Sequence, residues 1–564
     1  MLSDDHDGII DLPADAPVGA RYVDYAGLSD PVIDIAITPN RADCLGVRGV
    51  ARDLAAAGLG TLKPLDTGPV TGDFDSPIRW RLEFAEGREH LCPLVAGRYF
   101  RGVKNGPSPK WMQDRLIAVG LRPISALVDI TNYVMIDVGR PLHAYDADKV
   151  DGDIIIRQAK PGEKYLALNG REYTFDPEMI VIGDQHGPDD LAGIMGGEKT
   201  GCGDDTTNMF LEVAVFDETA IAATGRKLNL QSDARYRFER GLDQTSPHWG
   251  TELATKLVLE ICGGSASTVV VDGPGRPWQR QIPLRHSRIK ALCGVDIDAA
   301  AARRILADLG FEVTGEGEAM TVAPPPWRGD IDGEADLIEE IVRINGFDKI
   351  EAVSMSRPHV IGRPALSPTQ RRVRAARRAL AHRGMVEALT FSFMPADLAA
   401  RFGGDDPSLR LVNPISSDLA TMRPSILPNL LAAADRNLNH SVGDIALFEV
   451  GPQYADDSPE GQATVAAGLR VGDTGPRDWS ASSRPADAFD AKADALALLD
   501  AMGAPTGNLQ VSMDAPDWYH PGRSGSLRLG PNVIAWFGEI HPAVLADLDI
   551  KAGAVGCEVF LDRV

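Results

Sequence analysis

Apolar residues recur along the chain at two different spacings, which divide it into predicted helices and strands. Residues 40–58 read NRADCLGVRGVARDLAAAG. Four apolar residues of this segment share one helical stripe: Val47, Val50, Ala51 and Leu54. Such a stripe followed by glycine predicts a helix that ends near Gly58.

The middle of the chain alternates between strand and helix patterns. From about 88 to 268, short strands such as DIIIRQ and MIVIGD are mixed with helical pieces, which predicts one α+β domain. A smaller unit begins near Pro283. There Asp298 is a predicted helix cap, Gly310 a predicted helix end, and FEVTGEGEAMTVA a predicted hairpin with glycine at its turn. A further helix follows, so this unit is predicted to be a small winged-helix-like module.

The last third of the chain predicts a larger domain on an antiparallel sheet. Helices are predicted at 368–383 and about 426–437. Strands are predicted at 386–393, 445–450, 464–471, 525–529 and 532–539. The fold class is therefore α+β multidomain.

Composition narrows the classes of function. The net charge of −23 argues against a protein that coats nucleic acid, which needs clustered lysine and arginine. The basic run Arg371–Arg383 has helical spacing and is interpreted as a solvated helix face. The six cysteines form no CxxC pair, and no apolar run approaches eighteen residues, so reduced thiols, no membrane and a cytoplasmic location are expected.

A glycine-rich stretch, GIMGGEKTGCGDD, raises the possibility of a phosphate-binding loop. A Walker loop requires glycine directly before its lysine, whereas Glu198 precedes Lys199 here. A carboxylate at that place would repel phosphate. The favoured interpretation is a turn whose bare backbone approaches a ligand closely.

WRGDIDGEADLIEEI places Asp336, Glu339 and Glu340 on one helical face, with Asp330 on the approach to that helix. Grouped carboxylates suit magnesium. The alternative is structural, because acids in a first turn satisfy the helix dipole and Glu339 can pair with Arg343. Spacing alone leaves both interpretations open.

GRPLHAYDAD places one histidine, His143, in an otherwise apolar segment. Thr131, Asn132 and Asp146 are its polar neighbours in sequence, and no GxSxG motif is present. Such a histidine is either a packed core residue or a group that faces a substrate. The residues alone do not separate these interpretations.

Several long, ordered blocks resemble the beta subunit of bacterial phenylalanine–tRNA ligase over nearly the whole chain. The blocks are ITPNRADCLGVRGVARDLA, ALVDITNYVMIDVGRPLHAYDADKV, LAGIMGGEKTG, TNMFLEVAVFD, SDARYRFERGLD, PPPWRGDIDGEADLIEEIVRINGFDKI, LVNPISSDLATMRPSILPNLL and HPGRSG. The resemblance implies a heterotetramer of two alpha and two beta subunits that joins phenylalanine to tRNA(Phe) using ATP and Mg²⁺, with ATP bound by the alpha subunit.

The resemblance also implies that the synthetic site lies in the alpha subunit. Class II synthetases keep an arginine two residues before the glutamate of their second motif, whereas DIALFEVG has Leu447 before Glu449. Without that guanidinium a site for adenylate lacks its main phosphate clamp. The last domain is therefore expected to be a catalytically inactive class II synthetase-like fold that serves assembly.

In this family the domain that holds GRPLHAYDAD hydrolyses tyrosine wrongly esterified to tRNA(Phe). The implied editing pocket, carried over by motif, comprises Thr131, Asn132, His143, Gly196, Glu212, Ser232 and Ala234. Glu212 is expected to accept the hydrogen bond of the tyrosine hydroxyl, and His143 to hold the terminal adenosine or the attacking water. The resemblance also favours Asp330, Asp336, Glu339 and Glu340 as Mg²⁺ ligands.

The resemblance suggests a domain order with both ends shortened. A C-terminal ferredoxin-like anticodon-binding domain is expected to be absent. The expected parts are an OB-like remnant at 1–30, a helical segment and linker at 31–75, the editing domain at 76–275, the small module at 279–355 and the synthetase-like domain at 360–564. The alternative function is a structural or assembly subunit whose editing pocket is vestigial.

Overall fold

The computed structural model describes residues 11–28, 30–355, 362, 364–475, 479 and 482–564. The first ten residues of the expected OB-like remnant, the segment where the last two expected domains meet and part of the polar stretch 472–495 lie outside the described residues. The chain forms two compact units, Met1–Ser354 and Met355–Val564. Within the described ranges, none of the helices is long and apolar enough to cross a membrane.

Helices of the first unit surround several small sheets. Its helices are α1 (Tyr22–Tyr25), α2 (Val47–Ala56), α3 (Lys110–Ala118), α4 (Ala126–Val138), α5 (Glu218–Leu228), α6 (Asp233–Phe238), α7 (Ser246–Ile261), α8 (His286–Cys293), α9 (Ala299–Asp308) and α10 (Glu334–Asn345). Its strands are β1 (Trp80–Glu83), β2 (Leu94–Arg101), β3 (His143–Asp146), β4 (Ile154–Gln158), β5 (Lys164–Leu166), β6 (Glu172–Thr174), β7 (Ile180–Asp184), β8 (Gly187–Leu191), β9 (Asn208–Val215), β10 (Ser265–Ala266), β11 (Val270–Asp272), β12 (Ile282–Arg285), β13 (Glu312–Glu316) and β14 (Ala319–Ala323).

The strand β9 runs through the middle of the largest sheet of this unit. The sheet has the order β10-β2-β9-β3, and β11 also pairs with β2. Because side chains alternate along a strand, Phe210 and Ala214 point to one face and Met209 and Leu211 to the other. The first face packs into a core shared with the sheet β1-β4-β7-β8, and the second packs on α4 and α7. The central strand is therefore covered on both faces.

The small module follows its sequence pattern. Asp298 caps α9 by accepting hydrogen bonds from the backbone N–H groups of Ala300 and Ala301. Strands β13 and β14 form the predicted hairpin, with Gly317 at positive φ in the turn. With β12 they make a three-stranded sheet against α8, α9 and α10.

The helix α2 was placed correctly, but its apolar stripe is not its buried face. Val47 and Leu54 are exposed. The helix instead approaches its neighbours through Gly49, where a Cβ atom would clash with the Asp43 backbone, and through the carboxylate of Asp53. Close backbone contact and ion pairing, rather than apolar burial, therefore orient this helix.

The second unit is built on one seven-stranded sheet with the order β15-β18-β19-β23-β22-β21-β20. Its strands are β15 (Val386–Glu387), β16 (Phe393–Met394), β17 (Thr421–Met422), β18 (Ile445–Tyr454), β19 (Gln462–Val471), β20 (Gln510–Ser512), β21 (Tyr519–Leu529), β22 (Asn532–Ile540) and β23 (Ala554–Phe560). Its helices are α11 (Pro368–His382), α12 (Ala396–Ala400), α13 (Leu427–Asn439), α14 (Ala488–Ala501) and α15 (Pro542–Asp547). The sheet is antiparallel except for the parallel pair β15 and β18.

Two features of this unit differ from the sequence expectations. The single strand predicted at 386–393 is wrong, because β15 leaves the sheet after Glu387 and the chain then forms β16 in a separate ribbon with β17. The strand β23 was not predicted, although it lies at the centre of the sheet. The arginines at 371, 374 and 378 lie on an exposed face of α11, as predicted.

Candidate active site

Strand pairing places His143 and Glu212 side by side. Strand β3 pairs antiparallel with β9, and His143 lies directly opposite Glu212 in the register. Directly opposed residues of an antiparallel pair share one face, with Cβ atoms about 5 Å apart. The imidazole and the carboxyl group therefore belong to one site, although 69 positions separate them in the sequence.

Glu212 is a carboxyl group in an otherwise apolar strand, NMFLEVAV. It is 6% exposed, and the hydroxyl of Tyr145 donates a hydrogen bond to its Oε2 over 2.9 Å. Burial raises the pKa of Glu212 to about 7, because desolvation disfavours the charged form. The group can therefore be either charged or neutral near neutral pH.

The ring of His143 lies against the glycine turn. A Cβ atom added at Gly196 would lie 2.5 Å from Cε1 of His143, so a larger residue at this position would displace the ring. The Tyr145 ring approaches the imidazole edge-on, with the ring centroids 4.6 Å apart. The predicted close approach to the bare backbone thus exists, and the group that makes it is the His143 side chain of the same domain.

A second buried acid, Asp190 of β8, faces the same imidazole. Its Oδ1 accepts a hydrogen bond from the backbone N–H of Gly197 over 2.6 Å. Its Oδ2 lies 3.5 Å from Nε2 of His143. His143, Glu212 and Asp190 thus border one cleft from three different strands.

The cleft has a volume of about 80 Å³. Its lining is mostly apolar and consists of Pro141, Leu142, His143, Ile182, Asp190, Leu191, Gly193, Ile194, Met195, Gly196, Glu212, Ala234 and Phe238. Binding pockets for small molecules usually measure roughly 300–1,000 Å³. The cleft is therefore sized for one end of a ligand.

Ser232 supports the cleft from outside its lining. Its hydroxyl accepts a hydrogen bond from the backbone N–H of Arg235, which caps α6, and donates one to the carbonyl of Ile194. These two bonds join the start of α6 to the glycine turn. Ala234, on the first turn of α6, does line the cleft.

The acidic helix α10 belongs to a buried cluster of ion pairs. Arg328 binds Asp330 through two hydrogen bonds of 2.8 Å each and also pairs with the buried Glu340. Arg343 donates to both carboxylate oxygens of Glu340 and pairs with Asp53 of α2. These two arginines hold the pKa of Glu340 down at about 2, against the effect of its burial.

The other two acids of this segment have separate roles. Asp336 accepts hydrogen bonds from the backbone N–H groups of Asp332 and Gly333, which caps α10. Glu339 is exposed. Of the four carboxylates predicted to share one ion, Asp330 and Glu340 therefore share an arginine, Asp336 caps the helix and Glu339 faces solvent.

Three family profiles match consecutive parts of the chain. They are the B3/4 domain at 91–263, the tRNA synthetase B5 domain at 282–347 and the phenylalanyl tRNA synthetase beta chain CLM domain at 354–561. Among curated relatives, the phenylalanine–tRNA ligase beta subunit of Paramagnetospirillum magneticum is 53% identical over 563 residues, which cover 100% of this chain and 70% of that protein. The same subunit of Rhodospirillum rubrum is 54% identical over 565 residues, again with 100% and 70% coverage.

The chain belongs to the phenylalanine–tRNA ligase beta-subunit family. Among solved structures, an N-terminal fragment of the beta subunit from Pyrococcus horikoshii is 17% identical, with a TM-score of 0.31 over 55% of this chain and 86% of that chain. At these values the likeness bears on neither the site nor the activity.

Of the pocket residues expected for this beta-subunit family, the structure brings four together. His143, Gly196, Glu212 and Ala234 all line the cleft. Three others lie outside its lining: Thr131, Asn132 and Ser232. Thr131 and Asn132 are on α4, where the hydroxyl of Thr131 donates to the carbonyl of Val128.

Two polar residues of the cleft region were not predicted. Tyr145 could have been inferred, because it follows His143 by two positions in a strand and so shares its face. Nothing in the sequence pattern singled out Asp190, because the run DDL before the glycine turn also fits the polar end of a strand.

In this structure three of the four predicted Mg²⁺ ligands are held by partners from the chain itself, and their binding of Mg²⁺ stays a prediction. Arginine already neutralises Asp330 and Glu340, and Asp336 is committed to backbone N–H groups. Among the described residues, the one group with metal-ligand spacing is Asp43, Cys44 and Asp53. Arg41 donates to all three of these side chains, and burial raises the pKa of Cys44 to about 12, so this group is a salt-bridge cluster as well.

We predict that Glu340→Ala lowers the free energy of unfolding by about 3–5 kcal/mol, because it removes the buried carboxylate that pairs with both Arg328 and Arg343. The matched control is Glu339→Ala, one position earlier and exposed, which should change the free energy by at most about 0.5 kcal/mol. Urea denaturation measures both. Stabilisation of the wild type by added magnesium chloride that disappears in Glu340→Ala would support the Mg²⁺ site instead.

We predict that the stability of the Glu212→Gln variant relative to that of the wild type increases as the pH rises. The folded pKa is raised from 4.5 to about 7, so the native state binds more protons than the unfolded state in that window, and wild-type stability falls as pH increases through it. The neutral variant lacks this loss, which amounts to about 3 kcal/mol when complete. Denaturation of both proteins at about pH 5 and about pH 8 measures the difference, and a pH-independent difference would contradict the prediction.

Proposed function

We propose that the chain is the beta subunit of a phenylalanine–tRNA ligase and that its cleft hydrolyses tyrosine esterified to tRNA(Phe). The observation that carries this proposal is the direct pairing of His143 with Glu212 at the border of one cleft in the B3/4 domain. The synthetic reaction, with ATP and its magnesium, takes place in the alpha subunit.

The need for an editing site follows from the limited selectivity of the synthetic site. A pocket built for the apolar phenylalanine side chain rejects an isostere with one added hydroxyl only by a factor on the order of a hundred. A pocket with a buried acceptor discriminates in the opposite direction, since phenylalanine leaves that acceptor without a partner. Glu212 supplies such an acceptor, because Tyr145 uses only its Oε2.

The size of the cleft indicates how the ligand is held. A volume of about 80 Å³ takes in one end of the ligand, while the terminal adenosine lies at the mouth. His143 is 25% exposed and therefore reaches both the cleft and that mouth. In the hydrolysis, water adds to the ester carbonyl, the bond to the ribose oxygen breaks, and that oxygen leaves with a proton. His143 orients the water or the adenosine and forms no covalent bond.

We predict that Glu212→Ala slows hydrolysis of tyrosyl-tRNA(Phe) roughly tenfold to a hundredfold, as expected for the loss of one charge-assisted hydrogen bond. The chain is assayed together with its alpha subunit, and the rate of phenylalanine attachment should not change. Glu239→Ala is the control, because Glu239 pairs with Arg235 and Arg240 and does not line the cleft. An unchanged hydrolysis rate in Glu212→Ala would remove the role of this carboxylate.

The second unit is proposed to be the assembly surface. Its Glu449 does not face a nucleotide, since it is buried against Arg423 with an Nη1 to Oε1 distance of 2.8 Å. Large apolar side chains are nevertheless exposed within one stretch of this unit: Val386, Leu389, Phe391, Val412 and Ile415. Exposed apolar patches mark protein interfaces, and the alpha subunit is the partner that we propose for these side chains.

We predict that the double variant Leu389→Asp and Phe391→Asp weakens association with the alpha subunit roughly thirtyfold, since a buried apolar anchor contributes about 2 kcal/mol or more. The control is Val511→Asp, at an exposed position on β20, which is the edge strand farthest from β15 in the seven-stranded sheet. Co-purification and a binding titration measure the effect. Equal losses in both variants would argue against this interface.

The second candidate function is a structural subunit with a vestigial editing pocket. The small volume of the cleft is the observation that favours it. If the assembled wild-type protein hydrolyses tyrosyl-tRNA(Phe) no faster than buffer does, this alternative replaces the editing proposal.

A further inference from the structure

We propose that Asp190 is a positioning residue that holds the His143 imidazole in one orientation and one tautomer, with the proton on Nε2. This inference rests on the proposed editing function and adds a residue to the same site. Asp190 comes from β8, a strand of a different sheet from the one that carries His143 and Glu212. It therefore joins the two sheets at the cleft.

The first argument is the environment of the two facing atoms. Oδ2 of Asp190 and Nε2 of His143 are both shielded from solvent, and neither makes a hydrogen bond within the described part of the chain. They lie 3.5 Å apart, so a movement of a few tenths of an ångström brings them to hydrogen-bond distance. A buried carboxylate oxygen without a donor is costly, and the N–H of the imidazole is a donor that faces this one.

The second argument is that the other carboxylate has a different partner. Glu212 lies beside His143 in the sheet, yet its Oε2 accepts from the hydroxyl of Tyr145. The Tyr145 hydroxyl, which also lies near Asp190, thus donates to Glu212, whereas Nε2 of His143 faces Asp190. This division leaves Glu212 free to recognise a ligand, while Asp190 sets the ring.

The third argument is that Asp190 is itself held firmly. It is 3% exposed, and its Oδ1 is fixed by the backbone N–H of Gly197. The neighbouring Gly196 lies against the imidazole. The glycine turn thus holds the carboxylate and limits the ring at the same time, which leaves His143 little freedom to rotate.

A fixed tautomer has a chemical consequence. In a neutral imidazole with its proton on Nε2, Nδ1 carries the free lone pair. Nδ1 is then the atom that accepts a hydrogen bond from the attacking water or from the adenosine ribose. Without Asp190 both tautomers become populated, and the ring points correctly for only part of the time.

The variant Asp190→Asn tests this role while sparing the turn. The amide oxygen still accepts from the N–H of Gly197, whereas the amide nitrogen replaces Oδ2 and offers a donor to Nε2. We expect the neutral imidazole to change from the Nε2–H to the Nδ1–H tautomer. In the complex with the alpha subunit, kcat for hydrolysis of tyrosyl-tRNA(Phe) should fall about tenfold to a hundredfold, with little change in KM.

Two measurements separate this role from a merely structural one. Nitrogen-15 chemical shifts of histidine-labelled protein report the tautomer directly, and His143→Gln assigns the signal. The matched control is Asp189→Asn, the same change at the adjacent buried position, whose carboxylate pairs with Lys199 over 3.0 Å. This control should leave both the tautomer and kcat unchanged.

The outcomes are distinct. An Nδ1–H tautomer in the wild type, or an unchanged tautomer in Asp190→Asn, overturns the inference even if Glu212→Ala confirms editing. If the wild-type complex hydrolyses no tyrosyl-tRNA(Phe), the editing proposal fails, while the tautomer measurement still decides the role of Asp190. If Asp190→Asn folds poorly, the wild-type spectrum alone gives the answer.

Discussion

A carboxyl group buried in the middle of an apolar strand is the constraint on which the site depends. Glu212 lies on the face of β9 that also carries Phe210 and Ala214, between two packed layers. Removing an ionised carboxylate from water is costly unless a donor or a cation compensates. Tyr145 donates to it and His143 lies opposite it, so this one acid accounts for two of the three polar residues of β3. The imidazole also explains the glycine at 196, because a side chain at that position would collide with the His143 ring.

The partners of a buried acid decide whether it serves the fold or remains available to a ligand. Glu340 is as buried as Glu212, but Arg328 and Arg343 keep it charged and saturate its oxygens. Glu212 has a phenol and an imidazole instead, and its pKa rises to about 7. The first arrangement fixes α10 against its neighbours, and the second leaves a group whose charge responds to what enters the cleft.

The sequence predicted local structure well and contacts between distant segments less well. Caps, turns and alternating strands depend on neighbouring residues, which is why Asp298, the hairpin at 312–323 and the helix at 368–382 were predicted correctly. The pairing of β3 with β9 depends on residues far apart in the chain and was not predicted; the family resemblance, not the spacing, predicted that His143 and Glu212 share one pocket. Spacing also placed the acids of α10 on one face, but it could not show that Arg328, which precedes the helix, pairs with Glu340.

The same reasoning applies to the second unit, where a buried glutamate again meets an arginine. Glu449 and Arg423 are both almost fully buried, and Thr390 donates a further hydrogen bond to the carboxylate. An arginine that approached from solvent could bind phosphate, whereas this one closes an internal ion pair and also donates to the carbonyl of Pro452. Leu447 occupies the position where class II synthetases keep their phosphate-binding arginine. Because the guanidinium of Arg423 is already engaged, neither of these two positions offers a free guanidinium to a nucleotide. This ion pair therefore joins the segment after β17 to β18 of the large sheet.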